Sequence, residues 1–234
     1  MQLVVFDLDG TLTRTTRVDE RCFVAALREE LGIVEVDSDW AQYTYSTDSG
    51  ISAEIFQKRL GRAPTHAELR RLEQRFVRLL AAAFESDPAS CTAVAGASAA
   101  LRRLRTDPQW RVALATGSWR ASATLKLATA GLDLGGVPAA FADDNVRRED
   151  IIALARARAR ERAPGGEFSR VVYVGDAPWD VRAARRLNIP FVGIAGARAA
   201  ARLRAEGAGA ILRDFSEVEQ LIEALQRAPA PSAD

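Results

Sequence analysis

The sequence predicts an α/β fold in which a doubly wound, Rossmann-like parallel sheet carries an inserted all-helical segment. Two observations predict this class. Short, continuous apolar runs recur along most of the chain, as expected of strands that are buried on both faces of a parallel sheet. Helical patterns separate these runs, and the alternation of strand and helix is typical of a doubly wound sheet. Ligands bind such sheets at the carboxyl ends of the strands.

Each predicted strand is an apolar run, and each predicted helix has apolar residues at helical spacing. The strands, in chain order, are expected at 3–6, 112–116, 139–142, 171–175, 191–196 and 210–212. The runs at 139–142 and 210–212 are the weakest candidates. The helices between them are expected at 97–105, 121–130, 149–161, 180–187, 197–206 and 217–226.

A stretch near the N-terminus interrupts this alternation, because it contains helical patterns and no convincing strand. Helices are predicted at 19–31, 51–60 and 65–84, and the last begins with a capping box formed by Thr65 and Glu68. We therefore expect a core formed by residues 1–14 and 96–227 and a helical insertion at 15–95. The tail at 228–234 is predicted to be disordered.

Composition and charge exclude several classes of function. The 234 residues carry a formal net charge of +1, which gives no electrostatic basis for binding nucleic acid or an acidic membrane. No apolar run approaches the ~20 residues that span a bilayer. Cys22 and Cys91 fit no metal-ligand spacing and are interpreted as reduced thiols of a cytoplasmic protein. Arginine replaces lysine almost everywhere, since Lys58 and Lys126 are the only lysines.

The first predicted strand ends in DLDGT at residues 7–11. Asp7 and Asp9 are two residues apart in an extended segment, so their side chains point the same way and converge on one spot. Gly10 permits a sharp turn with backbone N–H groups facing inward. Two carboxylates at a strand end repel each other, and a divalent cation would remove the repulsion; Mg²⁺ suits the site because it takes oxygen ligands. The alternative is a strand followed by an acidic turn.

Two further strands end in residues suited to phosphate and metal binding. Thr116 can offer its hydroxyl to a phosphoryl oxygen, and the amides around Gly117 stand at a helix N-terminus, a natural anion site. Ordinary turn and capping chemistry is the alternative for this segment. Asp176 follows the strand at 171–175, and Asp180 lies one helical turn further on. The alternative for both aspartates is compensation of the helix dipole.

These motifs together resemble those of the haloacid dehalogenase-like hydrolase superfamily. The matching segments are DLDGT at 7–11, ATGS at 115–118 and GDxxxD at 175–180. The insertion point after the first motif is similar to that of the superfamily's helical type-1 cap. The pattern around Lys126 resembles the phosphoglycolate-phosphatase-like branch.

The resemblance implies a role for each aspartate. Asp7 would be the nucleophile that forms an aspartyl-phosphate, and Asp9 would be the general acid and base. Mg²⁺ would be held by the Asp7 carboxylate, the Asp9 backbone carbonyl and Asp176, while Asp180 would orient this shell. The implied activity is a Mg²⁺-dependent phosphatase acting on a small phosphate monoester, such as phosphoglycolate.

The superfamily also uses a cation that binds the phosphoryl group, and the sequence offers two candidates. Lys126 follows Thr116 by ten residues, and Arg148 lies in DDNVRREDII, where the phosphoglycolate-phosphatase-like branch often carries arginine. We favour Lys126, because a lysine that persists in a chain so poor in lysine is expected to serve chemistry. Both cations can contribute.

The segment YTYSTDSGIS at 43–52 is the expected specificity element of the insertion, with Tyr45, Thr47 and Asp48 as candidates and Lys58 a few turns further on. Asp48 or Ser49 could equally be a helix N-cap. A small phosphorylated metabolite is the expected partner. A phosphomutase of the same superfamily and a non-catalytic phosphate-binding protein are the alternatives, and the oligomeric state is open.

Overall fold

The computed structural model describes residues 1–163 and 165–232. Within them, the strands are β1 (Gln2–Phe6), β2 (Trp110–Ala115), β3 (Ala139–Ala140), β4 (Arg170–Gly175), β5 (Phe191–Ile194) and β6 (Ala210–Leu212). They form one parallel sheet in the order β3-β2-β1-β4-β5-β6. This is the doubly wound order, so the fold class predicted from the sequence is confirmed.

The central strand β1 pairs with β2 on one side and with β4 on the other. Val4 and Phe6 face one hydrophobic cluster, and Leu3 and Val5 face a second cluster on the opposite side of the sheet. All four side chains are fully buried, which explains why this strand is apolar at every position. The winding reverses between β1 and β4, so their carboxyl ends flank the crevice in which such sheets bind ligands.

The helical insertion contains α1 (Thr16–Leu31), α2 (Asp48–Leu60) and α3 (His66–Ser86), with single 3-10 turns at Trp40–Gln42 and Pro88–Ser90. The predicted capping box is present at the start of α3, where Thr65 and Glu68 hydrogen-bond each other's backbone. The insertion leaves and re-enters the core at adjacent points, since Arg14 N donates to Thr92 O at 2.8 Å.

The core helices cover both faces of the sheet. On the Phe6 side lie α4 (Ala97–Thr106), α5 (Arg120–Thr129) and α9 (Val218–Arg227). On the Val5 side lie α6 (Arg148–Glu161), α7 (Pro178–Arg186) and α8 (Ala197–Ala205). All predicted helices and strands are present, with ends within three residues of their predicted positions. Along the described residues, none of the helices has the length and apolarity needed to cross a membrane.

Residues 228–232 of the tail contact the core, which differs from the prediction of disorder. Ala228 is buried, Pro229 O accepts a hydrogen bond from Phe191 N at 3.1 Å, and Ser232 N donates to Gly207 O at 3.3 Å. The proline-rich composition suggested a chain that cannot pack, but here backbone groups of the tail bind backbone groups of the core. Residues 233 and 234, which belong to the same prediction, lie outside the described residues.

Aromatic rings join the insertion to the core. Phe76 of α3 packs edge-on against Phe23 of α1, with ring centroids 5.6 Å apart, and against Trp119 of the core at 6.0 Å. Trp119 Nε1 also donates to Ser49 Oγ at 2.8 Å. The buried rings therefore hold three elements together at the insertion–core interface.

We expect Phe76→Ala to lower the free energy of unfolding by ~3–5 kcal/mol, because it removes a buried ring and leaves a cavity. Val34→Ala is the control, since Val34 is 67% exposed; it should cost less than about 0.5 kcal/mol. Urea denaturation measures both values. Equal losses for the two variants would contradict this account of the interface.

Candidate active site

A cavity of about 400 Å³ lies between the carboxyl edge of the sheet and the helical insertion. Its core side carries Asp7 and Asp9 after β1, Thr116 after β2, Asp176 after β4, and Arg148 at the start of α6. Parallel strands direct their carboxyl ends to one edge, which is why residues far apart in the sequence meet here. The cavity therefore occupies the position at which the sequence predicted a ligand site.

Arg148 is the centre of the first group of charged residues. Its Nη1 lies 2.9 Å from Asp7 Oδ1 and 3.0 Å from Asp180 Oδ1. The same nitrogen donates to the Tyr173 hydroxyl at 3.3 Å, and that hydroxyl donates to Asp180 Oδ1 at 2.9 Å. Arg148 Nη2 donates to the carbonyl of Ser46, a residue of the insertion, at 2.8 Å. The guanidinium thus contacts both the Asp7 carboxylate and the insertion.

Burial and the charges of neighbouring carboxylates disfavour ionisation of Asp7 and of Asp176. Burial, with a further contribution from Asp180, raises the pKa of Asp7 from 3.8 to about 7, although Arg148 acts in the opposite direction. Burial and the charges of Asp180 and Asp7 also raise the pKa of Asp176 well above its usual range. Ionising the whole group at neutral pH is therefore costly unless additional positive charge is supplied.

Asp180 is held by hydrogen bonds on both of its oxygens. Oδ2 accepts from the backbone N–H of Asp176 at 3.2 Å and of Ala177 at 3.0 Å, and Oδ1 accepts from Tyr173. These contacts close the first turn of α7 and tie it to β4. Asp180 is thus suited to orienting the loop that carries Asp176.

The donor set fits a divalent cation. Asp7, Asp176 and Asp180 bring carboxylate oxygens within 4.8 Å of one another. Within the described residues, Asp176 accepts one long hydrogen bond, from Thr11 at 3.5 Å, so its oxygens are available. A Cβ at Gly10, where φ is +79°, would lie 2.0 Å from Asp176 Oδ2, so only glycine leaves room for this carboxylate. Mg²⁺ usually takes one or two carboxylates from a protein, and Asp7 and Asp176 supply two.

Lys126 is the centre of the second group. Its Nζ lies 2.8 Å from Asp9 Oδ2 and 3.0 Å from Ser118 Oγ, and it forms an ion pair with Asp19 Oδ1 of the insertion. Ser118 Oγ donates to Asp9 Oδ2 at 2.7 Å, and Thr15 Oγ1 donates to Asp9 Oδ1. Burial alone would raise the pKa of Asp9, but the Lys126 ammonium and these hydrogen bonds lower it below its usual range.

The two candidate cations therefore contact different aspartates. Arg148 lines the cavity and contacts Asp7, whereas Lys126 is completely buried and lies outside the cavity lining. The sequence favoured Lys126 as the phosphoryl-binding cation. The geometry favours Arg148, because the Lys126 ammonium already hydrogen-bonds Asp9 and Ser118 and is paired with Asp19.

Thr116 and Gly117 both line the cavity. Thr116 Oγ1 accepts a hydrogen bond from Ser118 N at 3.1 Å, which leaves its hydroxyl hydrogen free to donate. A Cβ at Gly117 would lie 2.5 Å from Arg148 Nη2 and 2.6 Å from the Ser46 carbonyl oxygen. The glycine is therefore required by the close approach of Arg148 and the insertion.

Asp48 is the predicted specificity residue that lines the cavity. It is buried, its Oδ2 accepts from Trp119 N at 2.9 Å, and burial raises its pKa well above the usual range. The N-cap of α2 is Thr47, whose Oγ1 accepts from Gly50 N at 3.2 Å. The alternative that Asp48 or Ser49 caps this helix is therefore wrong, because the helix begins at Asp48, one residue earlier than a cap at Asp48 and two earlier than a cap at Ser49 would require.

The other three predicted specificity residues, Tyr45, Thr47 and Lys58, lie outside the cavity lining. Tyr45 is exposed and borders a neighbouring surface pocket. Lys58 pairs with Glu54 at 2.9 Å, and its ammonium stacks on the ring of Tyr43. Its contacts are those of a surface residue of α2.

Several residues of the site were not anticipated from the sequence. Tyr173 had a detectable signal, because it is the one polar side chain in the apolar run that precedes Gly175. Asp19 and Ser46 had none, since their partners are more than 100 positions away. Arg202 of α8 also lines the cavity, where it is an exposed cation.

Comparison with known proteins assigns the family. The sequence model of the haloacid dehalogenase-like hydrolases matches residues 1–188, and the chain belongs to this family. A phosphoglycolate phosphatase of Cereibacter sphaeroides is 33% identical over 194 residues, which cover 80% of this chain and 82% of the relative.

Solved structures share the fold. A hydrolase from Pseudomonas syringae has a TM-score of 0.71 at 21% identity, covering 95% of this chain and 98% of its own. The protein CbbY from Rhodobacter sphaeroides, solved with phosphate, has a TM-score of 0.63 at 19% identity, covering 97% and 100%. At these identities the structural likeness concerns the architecture alone.

The raised pKa of Asp7 leads to a prediction about pH and metal. Between pH 3.8 and about 7 the folded protein binds more protons at Asp7 than the unfolded chain, so this residue's contribution to stability decreases as the pH rises through that window. A divalent cation would compensate the ionised carboxylates above it. We expect Mg²⁺ to raise the melting temperature more at about pH 8 than at about pH 5.5.

Differential scanning fluorimetry with Mg²⁺ or EDTA measures this difference. Asp176→Asn is the matched variant, because it removes one ligand charge without changing size, and it should abolish most of the Mg²⁺ effect. An equal rise at both pH values in the wild-type protein would contradict the prediction.

Proposed function

We propose that the protein is a Mg²⁺-dependent phosphatase that hydrolyses a small phosphate monoester through an aspartyl-phosphate on Asp7. One observation carries the proposal: the Asp7 carboxylate, held by Arg148, faces the cavity beside Asp176 and Asp9 at the switch point of the sheet. A carboxylate nucleophile, a phosphoryl-binding cation and a proton carrier are the groups that this reaction needs. Membership of the hydrolase family and the phosphatase relatives support the same reaction class.

In the first step, an oxygen of the Asp7 carboxylate forms a bond to phosphorus. The bond between phosphorus and the ester oxygen breaks, and its electron pair stays on that oxygen. Asp9 donates a proton to the same oxygen, so that the alcohol leaves and the acyl phosphate remains on Asp7. The negative charge of the bound phosphoryl group favours the protonated form of Asp9 that this transfer needs, against the opposite effect of Lys126.

In the second step, water attacks phosphorus and Asp9, now a carboxylate, accepts a proton from this water. The bond between phosphorus and the Asp7 oxygen breaks, which releases inorganic phosphate and restores the carboxylate. Ser118, Thr15 and Lys126 hydrogen-bond Asp9 and keep its carboxyl group in one orientation for both transfers.

Arg148 is the cation that we assign to the phosphoryl group. It already contacts the attacking residue, and its planar guanidinium can direct separate N–H groups at Asp7 and at a phosphoryl oxygen. Thr116 and Gly117 can add a hydroxyl and backbone amides on the neighbouring side of the cavity. Mg²⁺, when held by Asp7 and Asp176, supplies further neutralisation of the phosphoryl charge.

The cavity limits the choice of substrate. A volume of about 400 Å³ admits a small molecule, and the residues that roof it come from the insertion. Phosphoglycolate is the first substrate to test, because curated relatives carry the name phosphoglycolate phosphatase. Among the described residues that line the cavity, Arg202 is the cation besides Arg148, so it is the residue that could face the carboxylate of such a substrate.

Phosphate release from p-nitrophenyl phosphate and from a panel of small phosphate esters tests the proposal. We expect release that requires Mg²⁺ and stops with EDTA. Phosphoglycolate, glycerol 3-phosphate and a hexose phosphate cover acidic, neutral and sugar leaving groups. Isomerisation of a sugar phosphate without phosphate release would instead identify a phosphomutase.

Asp7→Asn should lower kcat by ~10³-fold or more, because an amide oxygen cannot form the phosphoenzyme that a carboxylate forms. The variant should retain its circular dichroism spectrum, since the amide has nearly the same size. Steady-state kinetics with p-nitrophenyl phosphate provides the measurement. A folded Asp7→Asn protein with activity near that of the wild type would refute the mechanism.

Arg148→Lys and Arg147→Lys form a matched pair of neighbouring substitutions. Arg147 is a surface residue whose side chain is 55% exposed, whereas Arg148 contacts Asp7. Arg148→Lys should lower kcat/KM by ~10²–10³-fold, because an ammonium cannot replace the planar fork, and Arg147→Lys should change it by less than about threefold. The expectation fails if the two variants have similar kcat/KM values.

A further inference from the structure

The ammonium group of Lys126 joins the two parts of the molecule at a fully buried position. It contacts Asp9 Oδ2 and Ser118 Oγ of the core, and Asp19 Oδ1 of helix α1 in the insertion. The side chain of Lys126 has no exposed surface, and those of Asp9 and Asp19 are each 20% exposed. The proposed mechanism uses Asp9 but assigns no chemical step to Asp19.

The contacts of the Lys126 ammonium fix the position of its side chain. An ammonium has three N–H donors and no acceptor, and here it hydrogen-bonds Asp9 Oδ2 and Ser118 Oγ and forms an ion pair with the Asp19 carboxylate. A buried ammonium that loses one of its two carboxylate partners is strongly destabilised, so removing the charge of Asp19 should displace the Lys126 side chain. Asp9 Oδ2 contacts the same ammonium. The orientation of the Asp9 carboxylate therefore depends on the presence of the Asp19 carboxylate.

We infer that Asp19 and Lys126 are positioning residues for Asp9, and that the insertion completes the acid–base group by supplying Asp19. The inference rests on the proposed function, because it assumes that Asp9 transfers the proton to the leaving group. The Asp9 carboxyl group then has the orientation needed for proton transfer only when α1 is packed against the core. Ser118 and Thr15 hold the same carboxylate from the core and from the first connection to the insertion.

A purely structural ion pair would behave differently from a positioning pair. A structural pair stabilises the insertion–core interface, and its loss should impair all substrates alike. A positioning pair affects the step in which Asp9 protonates the leaving oxygen. This step matters for an alkyl phosphate, whose alkoxide is a poor leaving group, and matters little for p-nitrophenyl phosphate, whose phenolate leaves as a stable anion.

The experiment compares kcat/KM for the two kinds of ester in the wild-type protein and in Asp19→Asn, with Mg²⁺ present. The alkyl ester is whichever of phosphoglycolate and glycerol 3-phosphate the wild-type protein hydrolyses faster. We expect Asp19→Asn to lower kcat/KM for the alkyl ester on the order of 10²-fold and for p-nitrophenyl phosphate by less than about threefold. Equal losses for both esters, or no loss for either, would overturn the inference.

Glu29→Gln is the matched control. Glu29 is a carboxylate of the same helix α1 and pairs with Arg75 of α3, at a surface position away from the cavity lining. The substitution removes the same charge and one ion pair between two elements. It should leave the ratio of kcat/KM for the two esters unchanged, and a shift in this ratio as large as that of Asp19→Asn would overturn the inference.

A double-mutant cycle tests whether Asp19 acts through Lys126. If it does, Asp19→Asn should change the ester ratio in the wild-type background and cause no further change in a Lys126→Gln background. Additive changes would overturn the proposed route through Lys126. If Lys126→Gln does not fold, the cycle is run with Lys126→Met, which removes the ammonium and keeps a side chain of similar length.

The wild-type measurement separates this inference from the proposed function. Wild-type protein that releases no phosphate from any ester would overturn both. Wild-type protein that is active, together with an Asp19→Asn variant whose ester ratio is unchanged, would overturn the inference alone and leave the phosphatase mechanism in place.

Discussion

The repulsion between carboxylates buried at the carboxyl edge of the sheet is the constraint on which the rest of this structure depends. The molecule meets it with two separate buried cations, Arg148 against Asp7 and Lys126 against Asp9. Removing one partner from a buried pair of this kind typically costs ~3–5 kcal/mol, so each cation is as important to the fold as to the chemistry. The remaining acidic group, at Asp7 and Asp176, is what a divalent cation would neutralise.

The two cations also tie the insertion to the core. Arg148 reaches the Ser46 carbonyl, and Lys126 reaches the Asp19 carboxylate. Each cation thus contacts a residue of the insertion as well as aspartates of the site, Asp7 and Asp180 for Arg148 and Asp9 for Lys126. The charges of the site and the position of the insertion are consequently linked through the direct contacts of these two cations, and not through the sheet.

The sequence predicted the sheet, the insertion and the meeting of Asp7, Asp9 and Asp176, because all three follow apolar runs whose carboxyl ends must share one edge. It could not predict which cation meets which aspartate. Scarcity of lysine favoured Lys126, but composition does not encode the helix face on which a side chain lies. The contacts of Asp19 and Tyr173 depend on three-dimensional packing, and residues 228–232 of the tail form backbone hydrogen bonds that composition does not reveal.

The adjacent entry and exit of the insertion bear on how such a protein can diversify. Arg14 and Thr92 are hydrogen-bonded neighbours, so another segment of any length could be joined at these two points without disturbing the sheet. The core residues that carry the chemistry and the insertion that covers the cavity could therefore change independently of each other. Such a replacement segment would still need an acid at the position of Asp19, because without it the buried Lys126 ammonium would lose one of its two carboxylate partners.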